Sequence, residues 1–182
     1  MDMATDAELL DRLLRGDTRS LGEIYERYRV PLFRFCLRMV RDTARAEDAV
    51  HDTFVKLARQ HTAILNPGSL RSWLFRVARN EVYMMRRRMS PLPLDDAGGV
   101  LDPSTPQDIL ERAERDAVVH VMLEALRPEY REVLLLREFE EMQYAEIAAI
   151  TGSTESAVKS RLFKARQALA GLMSGLQKER IR

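Results

Sequence analysis

Apolar residues recur at helical spacing from the start of the chain: Leu9, Leu10, Leu13 and Leu14, then Leu21, Ile24, Tyr25, Tyr28 and Leu32. Intervals of three and four put such residues on one face of a helix, whereas a half-buried strand alternates every second position. The punctuation agrees. Thr5-x-x-Glu8 and Ser20-x-x-Glu23 are capping boxes, and Gly16 is placed to stop the first helix. The downstream half resumes the habit with Val118, Val119, Met122, Leu123 and Leu126 before Pro128. Between the halves, Ser90 to Gln107 has no sustained period and holds four of the seven prolines, a Gly-Gly pair and three aspartates. The expected architecture is all-α: a helical domain over 5–89, a flexible linker over 90–107 and a second helical domain over 108–173.

At 182 residues the chain can bury a core without disulfide staples. No apolar run approaches the ~18 residues a membrane span needs, and the acidic N-terminus leads into no signal-like apolar stretch. A cytoplasmic protein without membrane insertion is expected. Cys36, the only cysteine, sits between Phe35 and Leu37 and reads as a small buried thiol. The net charge of +1 conceals blocks of opposite sign: Arg71 to Met89 holds six arginines against one glutamate, Leu92 to Ala117 seven acids against two bases, and Thr154 to Arg182 seven bases against two acids. Two basic surfaces on an acidic tether suit a protein that touches a polyanion at two places, although solvated helices alone produce such blocks too.

The second basic block carries a sharper signal. In Gln143 to Arg166, Ala148 is followed by Gly152 and then Val158. A small residue lets two helices cross closely, glycine supplies a positive-φ turn, and an apolar residue on the second helix closes the core. Ile147, Val158 and Leu162 would fill that core. Capped by Ser153 or Thr154, the second helix is expected from about Glu155 through Leu169, projecting Lys159, Ser160, Phe163, Lys164 and Arg166 outward. Lysines suit phosphates or guanine edges and Phe163 suits a thymine methyl, the chemistry of major-groove readout.

These residues resemble a known family. Leu126-Arg127-Pro128-Glu129-Tyr130-Arg131-Glu132-Val133-Leu134-Leu135-Leu136-Arg137, with Tyr144-x-x-Ile147-Ala148 and Val158-Lys159-Ser160-Arg161-Leu162, resembles region 4 of bacterial sigma factors. Ala46 to Phe54 resembles region 2.2, and Arg71 to Asn80 is similar to regions 2.3 and 2.4. With only these two domains and a short linker, the chain resembles an extracytoplasmic-function sigma factor of the sigma-70 family. The resemblance implies a role in transcription initiation, with partners in core RNA polymerase (the β′ coiled coil and the β flap), promoter DNA and an anti-sigma factor. It assigns the −35 element to Lys159, Ser160, Arg161, Phe163, Lys164 and Arg166. For the −10 element it implies Asn66 and Ser69 in a base-capturing turn, Asn80 as a further contact, and Arg76, Arg79, Arg86 and Arg87 on phosphate.

The helix after Asp42 fits that role on its own residues. Val50, Phe54 and Leu57 form a buried stripe, while Asp48, His51, Asp52 and Val55 form an exposed one that invites a basic helical partner. The resemblance carries polymerase binding onto Asp48, His51 and Asp52; the same acids would equally serve the helix dipole. Trp73, flanked by Leu70, Leu74 and Val77, reads as core rather than as a base-stacking platform, and Met84 and Met85 read as packing residues. One departure from the family pattern is Glu155, an acid at the start of the reading helix. Catalysis is not expected, since the three histidines show no ligand spacing and there is no glycine-rich phosphate cradle. No metal or cofactor is expected either. The rival function is a helix-turn-helix regulator that does not bind polymerase, which leaves the helix after Asp42 unexplained.

Overall fold

In the computed structural model, described over residues 4–64, 70–88, 119 and 121–180, no strand occurs among the described residues. The linker over 90–107, the start of the second domain over 108–118 and His120 lie outside them, as do Asn66 and Ser69. The first group of helices is α1 (Asp6–Leu14), α2 (Thr18–Val40), α3 (Thr43–Gln60), a 3-10 turn (His61–Ala63) and α4 (Leu70–Arg88). The second comprises a helical segment over 121–125, α5 (Pro128–Leu134) running into a π-helical turn (Leu135–Phe139), α6 (Tyr144–Thr151) and α7 (Glu155–Arg180).

The Thr5 capping box forms: the Glu8 N–H donates to the Thr5 hydroxyl at 3.3 Å and the Thr5 N–H to the Glu8 carboxylate at 2.7 Å. Gly16 adopts φ +88° in the break after α1, the left-handed turn for which glycine is suited. The Ser20 box does not form. Asp17 caps α2 instead, accepting from the Arg19 N–H at 3.0 Å, and Ser20 is buried one turn inside with its hydroxyl donating to the Asp17 carbonyl at 2.6 Å. An acidic cap directly after the glycine turn restarts the helix at the first opportunity. Asp42 caps α3 by accepting from the Arg45 N–H at 2.9 Å.

The first core is built where the apolar spacing placed it. Leu9, Leu10, Ile24, Leu32, Leu57 and Leu74 are fully buried, and Phe35 meets Phe75 edge-on at 5.6 Å. Each such side chain contributes roughly 1.5–3 kcal/mol. Trp73 lies in this core, holding α4 down by its inner face. Cys36 is buried, and that burial pushes its thiol up to about 12. Leu14, Tyr25, Val119 and Met84 depart from the apolar spacing: all four are exposed, at the edges of their helices' buried stripes. Val55 is half-buried rather than exposed.

In the second group, Leu134, Leu135, Leu136, Ile147, Val158 and Leu162 are buried in an apolar cluster continuous with that of the first. The π-helical turn is marked by the Glu140 N–H reaching the Leu135 carbonyl at 3.2 Å. α7 runs on to Arg180, well past the expected end near Leu169, because no proline or capping break interrupts it. The groups pack on each other, α4 against α6 and α2 against α5. Among the described residues no helix is long and apolar enough to cross a membrane.

Candidate nucleic-acid interface

α6, the following turn and α7 form the helix-turn-helix. The Gln143 N–H donates to the Glu146 carboxylate at 2.9 Å, starting α6, and Gly152 ends it in the left-handed conformation at φ +62°, its N–H reaching the Ala148 carbonyl. Ser153 also donates from its N–H to Ala148, at 3.0 Å. Thr154 then caps α7, its hydroxyl accepting from the Ala157 N–H at 3.2 Å. Ile147, Ala148, Val158 and Leu162 are buried, so the opposite side of α7 faces water.

On that side Lys159, Ser160, Phe163, Lys164 and Arg166 are exposed, while Arg161 is half-buried. Phe163 is 62% exposed, far more than a packing role needs. Two of these cations are aimed by neighbours. The Lys159 ammonium stands 5.7 Å from the Tyr144 ring centroid, and Arg166 pairs with Glu138 at 2.7 Å, which raises the guanidinium's affinity for its proton. Glu138 did not stand out in the sequence and Tyr144 did so only as part of the region 4 motif, since each reaches its cation through the helix crossing. Glu155 is exposed at the N-terminal end of the same helix.

The cations of α4 are less accessible. Arg76, Asn80 and Arg87 are exposed, but Arg79 and Arg86 are half-buried. Arg79 forms an ion pair with Glu132 of α5, its guanidinium lying over the Tyr83 ring at 4.5 Å. The Tyr83 hydroxyl donates to the same carboxylate at 3.0 Å. Arg86 reaches the Met39 carbonyl at 3.4 Å. Glu132 is almost completely buried, and that burial raises its affinity for a proton despite the opposing pull of Arg79. Burial, reinforced by the Glu132 charge, pushes the Tyr83 phenol up to about 12.

On α3, Asp48, His51 and Asp52 all point to solvent, with Val50, Phe54 and Leu57 buried behind them. His51 also lines a cleft of about 520 Å³ between α2 and α3, together with Tyr25, Val30, Phe33 and Phe54 and the charged Arg29, Arg34 and Glu47. Tyr25, 42% exposed, packs edge-on against Phe54 at 4.8 Å. The apolar part of this face thus comes partly from α2, which the spacing of α3 alone did not reveal. Among the described residues no three His, Cys, Asp or Glu side chains converge as a metal site would require.

Residues 24–90 match the family described as Sigma-70 region 2, and residues 116–169 match Sigma-70, region 4. The chain is 33% identical to the ECF RNA polymerase sigma factor SigM of Bacillus subtilis over 155 residues, covering 84% of this chain and 94% of SigM. It is 28% identical to RNA polymerase sigma-H factor of Pseudomonas aeruginosa over 96% of both chains. Among solved structures, CnrH in complex with the cytosolic domain of CnrY superposes with a TM-score of 0.73 at 26% identity, covering 93% of this chain and 97% of that one. The sigma factor RpoE of Bartonella quintana, solved with the anti-sigma factor NepR, shares the fold with a TM-score of 0.64 at 24% identity, over 84% of this chain and 97% of that one.

Proposed function

The chain belongs to the extracytoplasmic-function sigma factors of the sigma-70 family, and we propose that it performs the family's task with the surfaces described above. It binds core RNA polymerase, recognises the −35 and −10 promoter elements and directs initiation. The observation that carries this reading is the match to SigM across both helical groups, which includes the first-domain helices that a helix-turn-helix regulator would leave idle.

Docking on the β′ coiled coil is assigned to Asp48, His51 and Asp52, with the apolar contact supplied by the neighbouring cleft at Tyr25 and Phe54. The exposed acids of α3 beside these aromatic side chains suit an amphipathic basic helix, with Arg29 and Arg34 of the cleft placed to meet acids on that partner. The −35 element is assigned to Lys159, Ser160, Arg161, Phe163, Lys164 and Arg166, with the β flap as the second domain's anchor on polymerase. Arg76, Arg79, Asn80, Arg86 and Arg87 serve the −10 element, with Asn66 and Ser69 capturing an extruded base. Unstacking a base costs a few kcal/mol, which binding of that base offsets.

The domain bounds that follow are 5–89, 90–107 and 108–173. A linker of 18 residues has a root-mean-square reach of about 20–25 Å and about 60 Å when extended. This lets the domains sit together or span both promoter elements. An anti-sigma protein would hold them together by covering both, and the protein acts as a cytoplasmic, non-enzymatic initiation factor. Reconstituted transcription with core polymerase on a promoter library tests the reading and yields the consensus. Promoter-dependent transcripts are expected; the absence of any transcript above core polymerase alone would overturn it.

A further inference from the structure

α7 begins with a carboxylate that the protein itself does not engage. Glu155 is the first residue of the helix and is exposed. It does not cap α7, because the Ala157 N–H goes to the Thr154 hydroxyl at 3.2 Å and the Val158 N–H to the Thr154 carbonyl at 3.0 Å. Nor does it hold Lys159, although a glutamate one turn before a lysine is the favoured order for a pair on a helix. The Lys159 ammonium lies instead 5.7 Å from the Tyr144 ring centroid. Among the described residues no hydrogen bond or ion pair engages the Glu155 side chain. Its charge complements the helix dipole, which any acid in the first turn would do.

The position is that of a reader. In a helix-turn-helix the N-terminal residues of the second helix contact base edges in the major groove. Lys159 lies one turn beyond Glu155 and Phe163 a further turn on, and all three are exposed. At about 1.5 Å per residue this row is about 12 Å long, the height of about three to four base pairs. An ionised carboxylate only accepts hydrogen bonds. In the major groove guanine presents the acceptors O6 and N7, and thymine presents O4 and a methyl, so neither offers it a donor. Adenine places its N6 donor beside the N7 acceptor, whereas cytosine presents the N4 donor alone and is the better match. The same charge repels the flanking phosphates. Glu155 therefore weakens binding to every sequence and is compensated only at the matching base, which is how a residue selects rather than merely binds.

We propose that Glu155 is a specificity-determining residue for the −35 element: its carboxylate accepts a hydrogen bond from the N4 amino group of a cytosine and rejects guanine and thymine at that base pair. Lys159 and Phe163 follow along the neighbouring base pairs, so the cytosine lies at the end of the element that the start of α7 enters. This rests on the assignment of α7 to the −35 element made above, and adds the base that one end of that element carries.

The test is selection by the full-length chain, at low salt, from a duplex library randomised across the −35 element and read by sequencing. The outward face of α7 is exposed in the chain itself, so the selection needs no polymerase. The parent is expected to prefer cytosine over guanine and thymine at one base pair by roughly tenfold, the scale of one good contact to a base edge. Glu155→Ala is expected to lose that preference alone, to keep those at the other positions, and to bind the unselected library more tightly. Glu155→Gln, whose amide suits the adenine edge, is expected to move the preference at the same base pair from cytosine to adenine. Glu155 is exposed, so neither variant removes a buried contact. A parent that selects no cytosine would overturn the assignment, and so would base preferences shared by the parent and Glu155→Ala. Uniform tightening of Glu155→Ala on all sequences would also overturn it, since that marks phosphate repulsion only. Transcription by core polymerase with the parent, from the selected duplexes, keeps the two readings apart. Cytosine selection without transcripts would sink the sigma assignment and sustain the role of Glu155, and transcripts without cytosine selection would do the reverse.

Discussion

The two basic helices, α4 and α7, carry the same kind of charge in opposite circumstances. On α7 two of the outward side chains meet residues that aim them, Tyr144 beneath Lys159 and Glu138 beside Arg166. On α4 the central arginine is half-buried against a carboxylate from the other domain, while Arg76 and Arg87 at either side remain exposed. Both helices are held from behind by apolar residues, Leu162 under α7 and Trp73 under α4. The difference is therefore made by what packs on top. A cation in sequence is a potential phosphate contact, and whether it is available is a property of the domain arrangement.

The strongest way to break this comparison is to remove the support beneath each helix. Trp73→Ala should cost about 3–5 kcal/mol and Leu162→Ala about 2–5 kcal/mol in urea unfolding. A loss under about 1 kcal/mol at either site would mean that its helix is not anchored as described.

Next in size are the cations themselves, where the two helices should respond differently. Arg79→Ala leaves Glu132 buried with the Tyr83 hydroxyl and only the charge of Arg161 to compensate it, and should cost about 1–3 kcal/mol of stability as well as DNA affinity. Lys159→Ala and Lys164→Ala should each cost roughly 1–3 kcal/mol of −35 affinity if they read base edges, with stability nearly unchanged. Relaxed preference at one base position marks readout. A uniform loss with a salt slope lowered by about one marks phosphate contact. Equal unfolding midpoints for Arg79→Ala and the parent would erase the contrast between the helices. Reversing the acid face with Asp48→Arg and Asp52→Arg should weaken the polymerase complex by tenfold or more while leaving oligo(dT) binding to α4 unchanged, which a pull-down and a titration would check.

The smallest effect is on pH. Burial raises the proton affinity of Glu132, facing Arg79, Tyr83 and Arg161, and of Glu140, facing Arg71, Arg38 and Arg34. A carboxyl whose pKa is higher in the folded protein than in the unfolded chain contributes stability that is fully present below its ordinary value of 4.5. That contribution is lost as pH rises through the elevated pKa. Unfolding free energy from urea titrations should thus rise modestly from pH 7 toward pH 5; an invariant or falling value would contradict it.

Much of the fold was legible because helices announce themselves locally. The Thr5 box, the Gly16 stop, the Asp42 helix and the Ala148–Gly152–Val158 crossing all depend on residues within a few turns of one another. The Ser20 box failed because a competing cap, Asp17, lay only three residues upstream, and local rules rank such neighbours poorly. Tyr25 and Met84 matched the apolar spacing, yet which edge of a stripe is covered depends on the width of the neighbouring helix. The candidate site divides along the same line. Outward cations on α7 and the acid face of α3 followed from periodicity, whereas the α2 side of the cleft and every partner of an α4 arginine did not.

By itself, then, the sequence determined an all-helical chain with a helix-turn-helix, two basic surfaces and the inner stripes that hold them, since each of these is set by spacing within one helix or one turn. Only the tertiary structure decided that Arg79 meets Glu132 and Arg71 meets Glu140. These partners lie 53 and 69 residues apart, and no periodicity spans that separation: the pairing exists because two groups of helices come together and bring a carboxylate of one against a guanidinium of the other.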